Sequence, residues 1–309
     1  MCIDSATVIR IVKLGRLIIH AVFLVYLLGA LFAVSVGASF DVVKFLFVYV
    51  ILFTGTLSAM YNNNYNDVNV DKNATQTVFS GGSRILVDHP ELMSIAKKLS
   101  LFFLGVSIVL GFVGMVVFSY PVTFFVFVLF GNILGWYYTA PPIQLMYHGL
   151  GEVCTMLAVG LIVPGLGYFA LAGQLDASYV VLLVPFLFQG FALSFYLEIP
   201  DREADRQGHK KTLVVRRGVS FGFVVGALFS TLATVCFLLY AIFHVNSGDI
   251  NYWVVFLFSL IPLFFCVHSL VRYRADKTRV NPLVFRAAAS FFVCYILLVG
   301  YFLYVILLP

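Results

Sequence analysis

Two sets of oxygen-bearing side chains recur at a spacing of four: Asn63, Asp67 and Asp71, and later Asp201 and Asp205. On a helix a step of four residues turns by about 400°, so each set stays near one face and drifts by only ~40° per step. If the apolar helix of residues 45–60 runs on unbroken through residue 71, its three acceptors form one stripe that can hold a hard cation. Two such sets brought together suit magnesium, which commonly binds through one or two carboxylates and completes its shell with substrate phosphate oxygens. The first set lies in a polar island, residues 61–71. The second follows Glu198-Ile199-Pro200 and leads into Gly208-His209-Lys210-Lys211-Thr212-Leu213.

The elements that must position these residues belong to a membrane. With 62% hydrophobic and 11% charged residues over 309 positions, and a mean hydropathy of +1.02, the chain does not have the composition of a soluble protein. Its continuous apolar runs reach the ~20 residues that cross a bilayer, and lipid offers no partner for a free N–H or C=O, so the spans must be helical. Nine segments are expected: residues 17–36, 42–60, 99–119, 122–138, 153–172, 179–197, 219–244, 252–273 and 283–308. The fold class is all-α, a polytopic membrane protein of nine transmembrane helices forming one domain over residues 1–309. The basic N-terminal stretch and the run after it carry no small-residue cleavage pattern and are expected to form a retained first span.

Nine spans place every one of the 19 lysines and arginines except Lys44 on one side, which the positive-inside rule makes cytoplasmic. Asp41, Asp176 and Asp249 fall on the other side, while both acidic motifs open to the basic one. In a soluble chain the net charge of +5 would point to acidic partners; here its distribution matters more, the lipid bilayer is the expected partner, and nucleic acid is not. The five cysteines stand singly, with no C-x-x-C and no histidine cluster, as small apolar packing residues do.

A metal site at the mouth of a membrane cavity fits a substrate with a charged phosphate head and a long apolar tail, such as a prenyl diphosphate. A cation pathway is the competing reading, because intramembrane acids also mark ion routes. That reading places acids near the middle of spans, whereas these gather at one end beside Arg84, Lys210 and Lys211.

The motifs resemble those of the UbiA superfamily of intramembrane prenyltransferases. Asn63-x-x-x-Asp67-x-x-x-Asp71 is similar to its first signature, and Asp201-x-x-x-Asp205 with the stretch from His209 to Gly218 to its second. Phe79-Ser80-Gly81-Gly82-Ser83-Arg84-Ile85-Leu86, and Tyr138-Thr139-Ala140-Pro141-Pro142 with Gly149-Leu150-Gly151-Glu152, resemble stretches of menaquinone-pathway relatives. The resemblance implies a nine-helix bundle around a central cavity. It also implies Mg2+ held by Asn63, Asp67, Asp71, Asp201 and Asp205, and transfer of a polyprenyl group from its diphosphate to an aromatic acceptor such as 1,4-dihydroxy-2-naphthoate. Asp67, Asp71, Asp201, Asp205 and Lys211 would be catalytic, while Arg84, Lys210 and Tyr138 would bind substrate. For Arg84, Lys210 and Lys211 a lipid-headgroup contact is the alternative. Gly81 and Gly82 are expected to permit a tight turn, and Pro141-Pro142 to stiffen an extended lead into the next span.

The chain departs from the pattern in four places. Gln144 and Met146 occupy positions where relatives often carry a basic residue, and His209 stands where glycine is common. Glu198 takes a position of Asn or Asp, as an extra ligand or an ion-pair partner of Lys210, and Gln76-Thr77-Val78 replaces Arg-Thr-Pro. A lipid-ether synthase of the same family, using a glyceryl phosphate acceptor, and a non-enzymatic transporter remain as alternatives.

Overall fold

A computed structural model describes residues 4–15, 18–74, 82–245 and 248–308. The expected Gln76-Thr77-Val78 departure and Phe79-Ser80-Gly81, the start of the Phe79–Leu86 motif, lie outside the described residues.

Amphipathic α1 (Ser5–Leu14) is capped by Asp4, whose carboxylate accepts the Thr7 N–H at 2.8 Å. The apolar segments then follow as α2 (Ile18–Ser35), α3 (Val42–Asn66), the short α4 (Val68–Asp71) and α5 (Ile85–Asp88), α6 (Met93–Val117) and α7 (Val122–Tyr137). A 3-10 turn, Leu145–His148, precedes α8 (Gly151–Leu157), which passes through a π turn (Ala158–Ile162) into α9 (Val163–Ala172). The chain continues with α10 (Ala177–Glu198), α11 (Arg202–Gln207), α12 (Leu213–Arg217), α13 (Val219–Ile242), α14 (Tyr252–Ala275) and α15 (Val280–Leu307). Among the described residues seven helices are long and apolar enough to cross a membrane, and residues 20–35 and 122–137 form shorter apolar helices. Over their described residues the expected segments are helical, seven of them of spanning length, and the chain is an integral membrane protein of all-α class.

Packing inverts the pattern of a soluble bundle. In α6 the buried face is built of Ala96, Ser100, Ser107, Gly111 and Gly114 against α3 and α7, while Phe102, Val109, Phe112 and Val116 point outward. Small residues let two backbones approach where lipid supplies no hydrophobic drive between helices. The approach is closest between α2 and α9: a Cβ on Gly29 would lie 1.9 Å from the Pro164 carbonyl, and one on Gly167 2.0 Å from that of Tyr26. α15 packs on α2, and α10 on α8, α13 and the π turn, so the helices enclose a central space.

Two of the acids expected opposite the motifs turn out to be caps. Asp41 accepts the N–H groups of Val43 and Lys44 at the start of α3, and Asp176 those of Ser178 and Tyr179 at the start of α10. Each of these helices therefore begins on a carboxylate at one end of the bundle and delivers an acidic motif at the other.

Candidate active site

The expected single stripe from residue 63 to residue 71 is broken. α3 ends at Asn66, Asp67 leaves helical geometry at φ −95°, ψ 10°, and α4 restarts at Val68. The N–H of Asp67 still reaches the Asn63 carbonyl at 2.9 Å, and that of Asp71 the Asp67 carbonyl at 2.9 Å, so all three side chains remain together. The second motif is carried past the end of α10 in the same way: Asp201 N–H bonds to the Glu198 carbonyl at 3.1 Å, and Asp205 N–H to that of Asp201 at 2.8 Å.

Both sets open into one cavity of about 400 Å3. Its polar end is lined by Asn63, Asp67, Asp71, Asp201, Asp205 and Lys210, and Tyr138 lies on the same wall. Val25 of α2, Ile51 and Leu52 of α3, Val128 of α7, Ile162 and Leu166 line the apolar remainder. The carboxylates sit at the C-terminal ends of α3 and α10, where the helix dipoles are already negative, which makes this end of the cavity strongly cation-seeking.

Lys210 answers that field. Its ammonium is buried and bridges the two motifs, 2.8 Å from Asp67 Oδ2 and 3.3 Å from Asp205 Oδ1. Burial works against its charge, yet the two carboxylates carry its pKa above the ordinary lysine value. Burial pushes the Asp205 carboxyl up from the usual carboxylate range, with Lys210 opposing. The phenol of Tyr147 donates to Asp67 Oδ1 at 2.7 Å, and burial followed by the Asp67 charge holds that phenol protonated far above neutrality.

The two neighbouring lysines are thus separated. Lys211 is exposed and lies outside the cavity lining, whereas Lys210 is buried and lines it. His209 produces the turn that does this: it adopts φ +62°, the left-handed conformation that glycine favours. Arg84, itself at φ +55°, directs its guanidinium to the Lys72 carbonyl at 3.3 Å and does not line the cavity. The Pro141–Pro142 peptide is cis and leads into the 3-10 turn, not into an extended approach to α8.

Tyr147 escaped the sequence reading, and Gly82 and Glu152 appeared there only within motifs. Tyr147 is adjacent to the departures noted at residues 144 and 146, and it supplies a neutral donor to Asp67 in that region. Gly82 has φ +61°, and a Cβ there would lie 2.0 Å from Asp71 Oδ1, so close approach to the carboxylate requires glycine. Glu152 accepts the N–H of Leu213, tying the start of α8 to the segment after the second motif.

Among the described residues no three acidic, histidine or cysteine side chains converge into a closed metal cage. The donor set fits an open site for a hard cation. Asn63 Oδ1 and Asp205 Oδ2 are buried oxygens without a hydrogen-bond partner among the described residues, and Asp67, Asp71 and Asp201 line the same pocket. Such a set leaves coordination positions for phosphate oxygens.

The model of the UbiA prenyltransferase family matches residues 22–288. The chain belongs to the UbiA family. A 1,4-dihydroxy-2-naphthoate octaprenyltransferase of Haemophilus influenzae is 29% identical over 142 residues, which are 45% of this chain and 44% of that protein's length. Among solved structures, a UbiA homolog from Archaeoglobus fulgidus bound to GPP and Mg2+ covers 96% of this chain and 99% of its own, with a TM-score of 0.67 and 16% identity. A digeranylgeranylglyceryl phosphate synthase matches at a TM-score of 0.65 and 16% identity, over 97% of this chain and 98% of its own. At these identities the structural likeness speaks for the UbiA fold.

Proposed function

We propose that this protein is an intramembrane prenyltransferase that moves a polyprenyl group from its diphosphate to an aromatic acceptor of the 1,4-dihydroxy-2-naphthoate kind, as in menaquinone synthesis. One observation carries the reading: two acidic motifs and a buried lysine converge at one end of a cavity whose remainder is apolar. A diphosphate head and an isoprenoid tail match those two halves. A cation pathway would gain nothing from an ammonium fixed between its carboxylates.

In this reading Asn63, Asp67, Asp71, Asp201 and Asp205 hold Mg2+, which when bound neutralises the diphosphate as the allylic C–O bond breaks. Lys210 is a donor fixed in advance where that charge builds up. Tyr147 orients Asp67. Tyr138 and Tyr295 offer ring faces to the cationic end of the prenyl group. The motifs face the cytoplasm of a plasma (inner) membrane, on the strength of the basic residues gathered at that end.

The test is an assay of purified protein with one labelled prenyl diphosphate and a panel of acceptors, with and without chelator. Metal-dependent transfer to a dihydroxynaphthoate is expected. Transfer only to a glyceryl phosphate would select the lipid-ether reading. Full activity in chelator would overturn the metal site.

A further inference from the structure

The carboxyl of Glu198 has no place in the diphosphate chemistry above. It ends α10, is 5% exposed, and lines the cavity beside Tyr138, Met146 and Thr155. Among the described residues no donor reaches either of its oxygens. The ion pair with Lys210 that the sequence allowed is not formed, because that ammonium is engaged by Asp67 and Asp205. The neighbouring carboxyl, Glu152, cannot donate as a carboxylate: one of its oxygens accepts the Leu213 N–H and the other has no donor. Even one proton shared between Glu152 and Glu198 leaves an oxygen of Glu198 open. A buried acceptor without a donor costs free energy that a ligand's O–H can recover.

The wall around this carboxyl decides what kind of ligand. Glu152, Asp205 and Lys210 lie to one side of it, while Tyr138, Met146 and Leu197 add an apolar, partly aromatic surface suited to a flat ring with a hydroxyl at its edge. We propose that Glu198 accepts a hydrogen bond from a ring hydroxyl of the prenyl acceptor and so selects hydroxylated rings. The proposal rests on the prenyltransferase reading. It assigns to the α8–α10 junction a binding role separate from the metal and diphosphate residues. In 1,4-dihydroxy-2-naphthoate the 1-hydroxyl is engaged by the adjacent carboxylate, so the 4-hydroxyl is the donor available to Glu198.

The experiment compares 1,4-dihydroxy-2-naphthoate with 1-hydroxy-2-naphthoate, which lacks that hydroxyl. Equilibrium binding is read from naphthoate fluorescence in wild type, Glu198→Met and Glu198→Gln, all carrying the same prenyl diphosphate. Wild type is expected to prefer the dihydroxy ligand by about 10- to 100-fold, the usual effect of leaving a buried acceptor without its donor. Glu198→Met removes the acceptor at similar length and should abolish the preference. Glu198→Gln keeps one neutral acceptor oxygen and should retain part of it. The concentrations of Mg2+ and prenyl diphosphate needed for half-maximal turnover should change by less than threefold. The proposal is overturned by an equal preference in wild type and Glu198→Met, by no preference in wild type, or by an effect confined to Mg2+ or diphosphate. If Glu198→Met does not melt cooperatively, an unchanged preference in Glu198→Gln overturns it and a reduced one supports it. Should wild type transfer prenyl groups to another acceptor but bind neither naphthoate, both the naphthoate reading and this inference fall. Transfer to the naphthoate with the preference unchanged in Glu198→Met sinks the inference alone.

Discussion

The two acidic motifs follow helices that run the same way through the bundle, yet they are built to opposite standards. In the first, Asp67 receives the Tyr147 phenol and the Lys210 ammonium, and Asp71 has the Gly82 backbone closely against it. Among the described residues each motif has an oxygen without a partner, Asn63 Oδ1 in the first and Asp205 Oδ2 in the second, and Glu198, just before the second, keeps both of its oxygens without one. The first is a carboxylate shelf fixed by other parts of the chain. The second has unfilled capacity. On the proposed prenyltransferase reading such a division would help the site take up a metal diphosphate and release a metal pyrophosphate, the fixed half setting geometry and the open half accepting the incoming charge.

If the halves cooperate, both are indispensable, and the largest effects come from cutting either. Asp67→Ala and Asp205→Ala are each expected to lower single-turnover transfer by about a thousandfold or more, the upper range for losing one preorganised electrostatic partner. Melting in the same detergent should remain cooperative. Near-normal rates in Asp67→Ala would break the comparison, because its fixed half would then be dispensable.

Next in size is the lysine that joins the halves. Lys210→Ala should slow transfer about a hundredfold, ~3 kcal/mol, while Lys211→Ala stays within threefold. Measured together, the two variants test the structural assignment against the motif alone, and the reverse order would return the role to Lys211. Gly82→Ala should then raise the Mg2+ concentration for half-maximal activity about tenfold, because the added methyl must displace the Asp71 carboxylate or the loop. Tyr147→Phe removes one hydrogen bond to a charged group, and a loss of about tenfold in turnover is expected. The smallest effect belongs to His209→Gly: relief of the left-handed strain is offset by the greater freedom of the unfolded chain. Stability should change by less than ~1 kcal/mol and turnover by less than threefold.

These variants also mark the limits of the sequence. The convergence of the acids was legible because it follows from spacing, and a break at Asp67 does not scatter side chains whose backbone bonds still bridge four residues. The spans were legible because lipid leaves the backbone no alternative to helix. Lys210 and Lys211 are identical residues side by side, and what distinguishes them is one positive φ at the preceding histidine, a conformation no pattern at that position announces. Tyr147 acts on a residue 80 positions away from a short 3-10 turn, which has no periodicity to betray a face. Arg84 belongs to a motif that resembles the family's, but its guanidinium goes to a backbone carbonyl.

The π turn between α8 and α9 has a consequence for the shape of the cavity. Cys154, Ala158, Ile162 and Leu166 all face the cavity, as do Thr155, Val159 and Val163, each a step of four from the last. In an uninterrupted α-helix three such steps would carry the stripe about 120° around the axis, turning Leu166 away from Cys154. The Val163 N–H instead reaches back five residues to the Ala158 carbonyl, and that wider turn winds the phase back. One helix can thereby present the same side along the cavity from its polar mouth toward its apolar depth. Straightening this turn at unchanged chain length would rotate the two halves of the wall by about 100° against each other, exchanging cavity-facing for lipid-facing side chains without altering any of the acids.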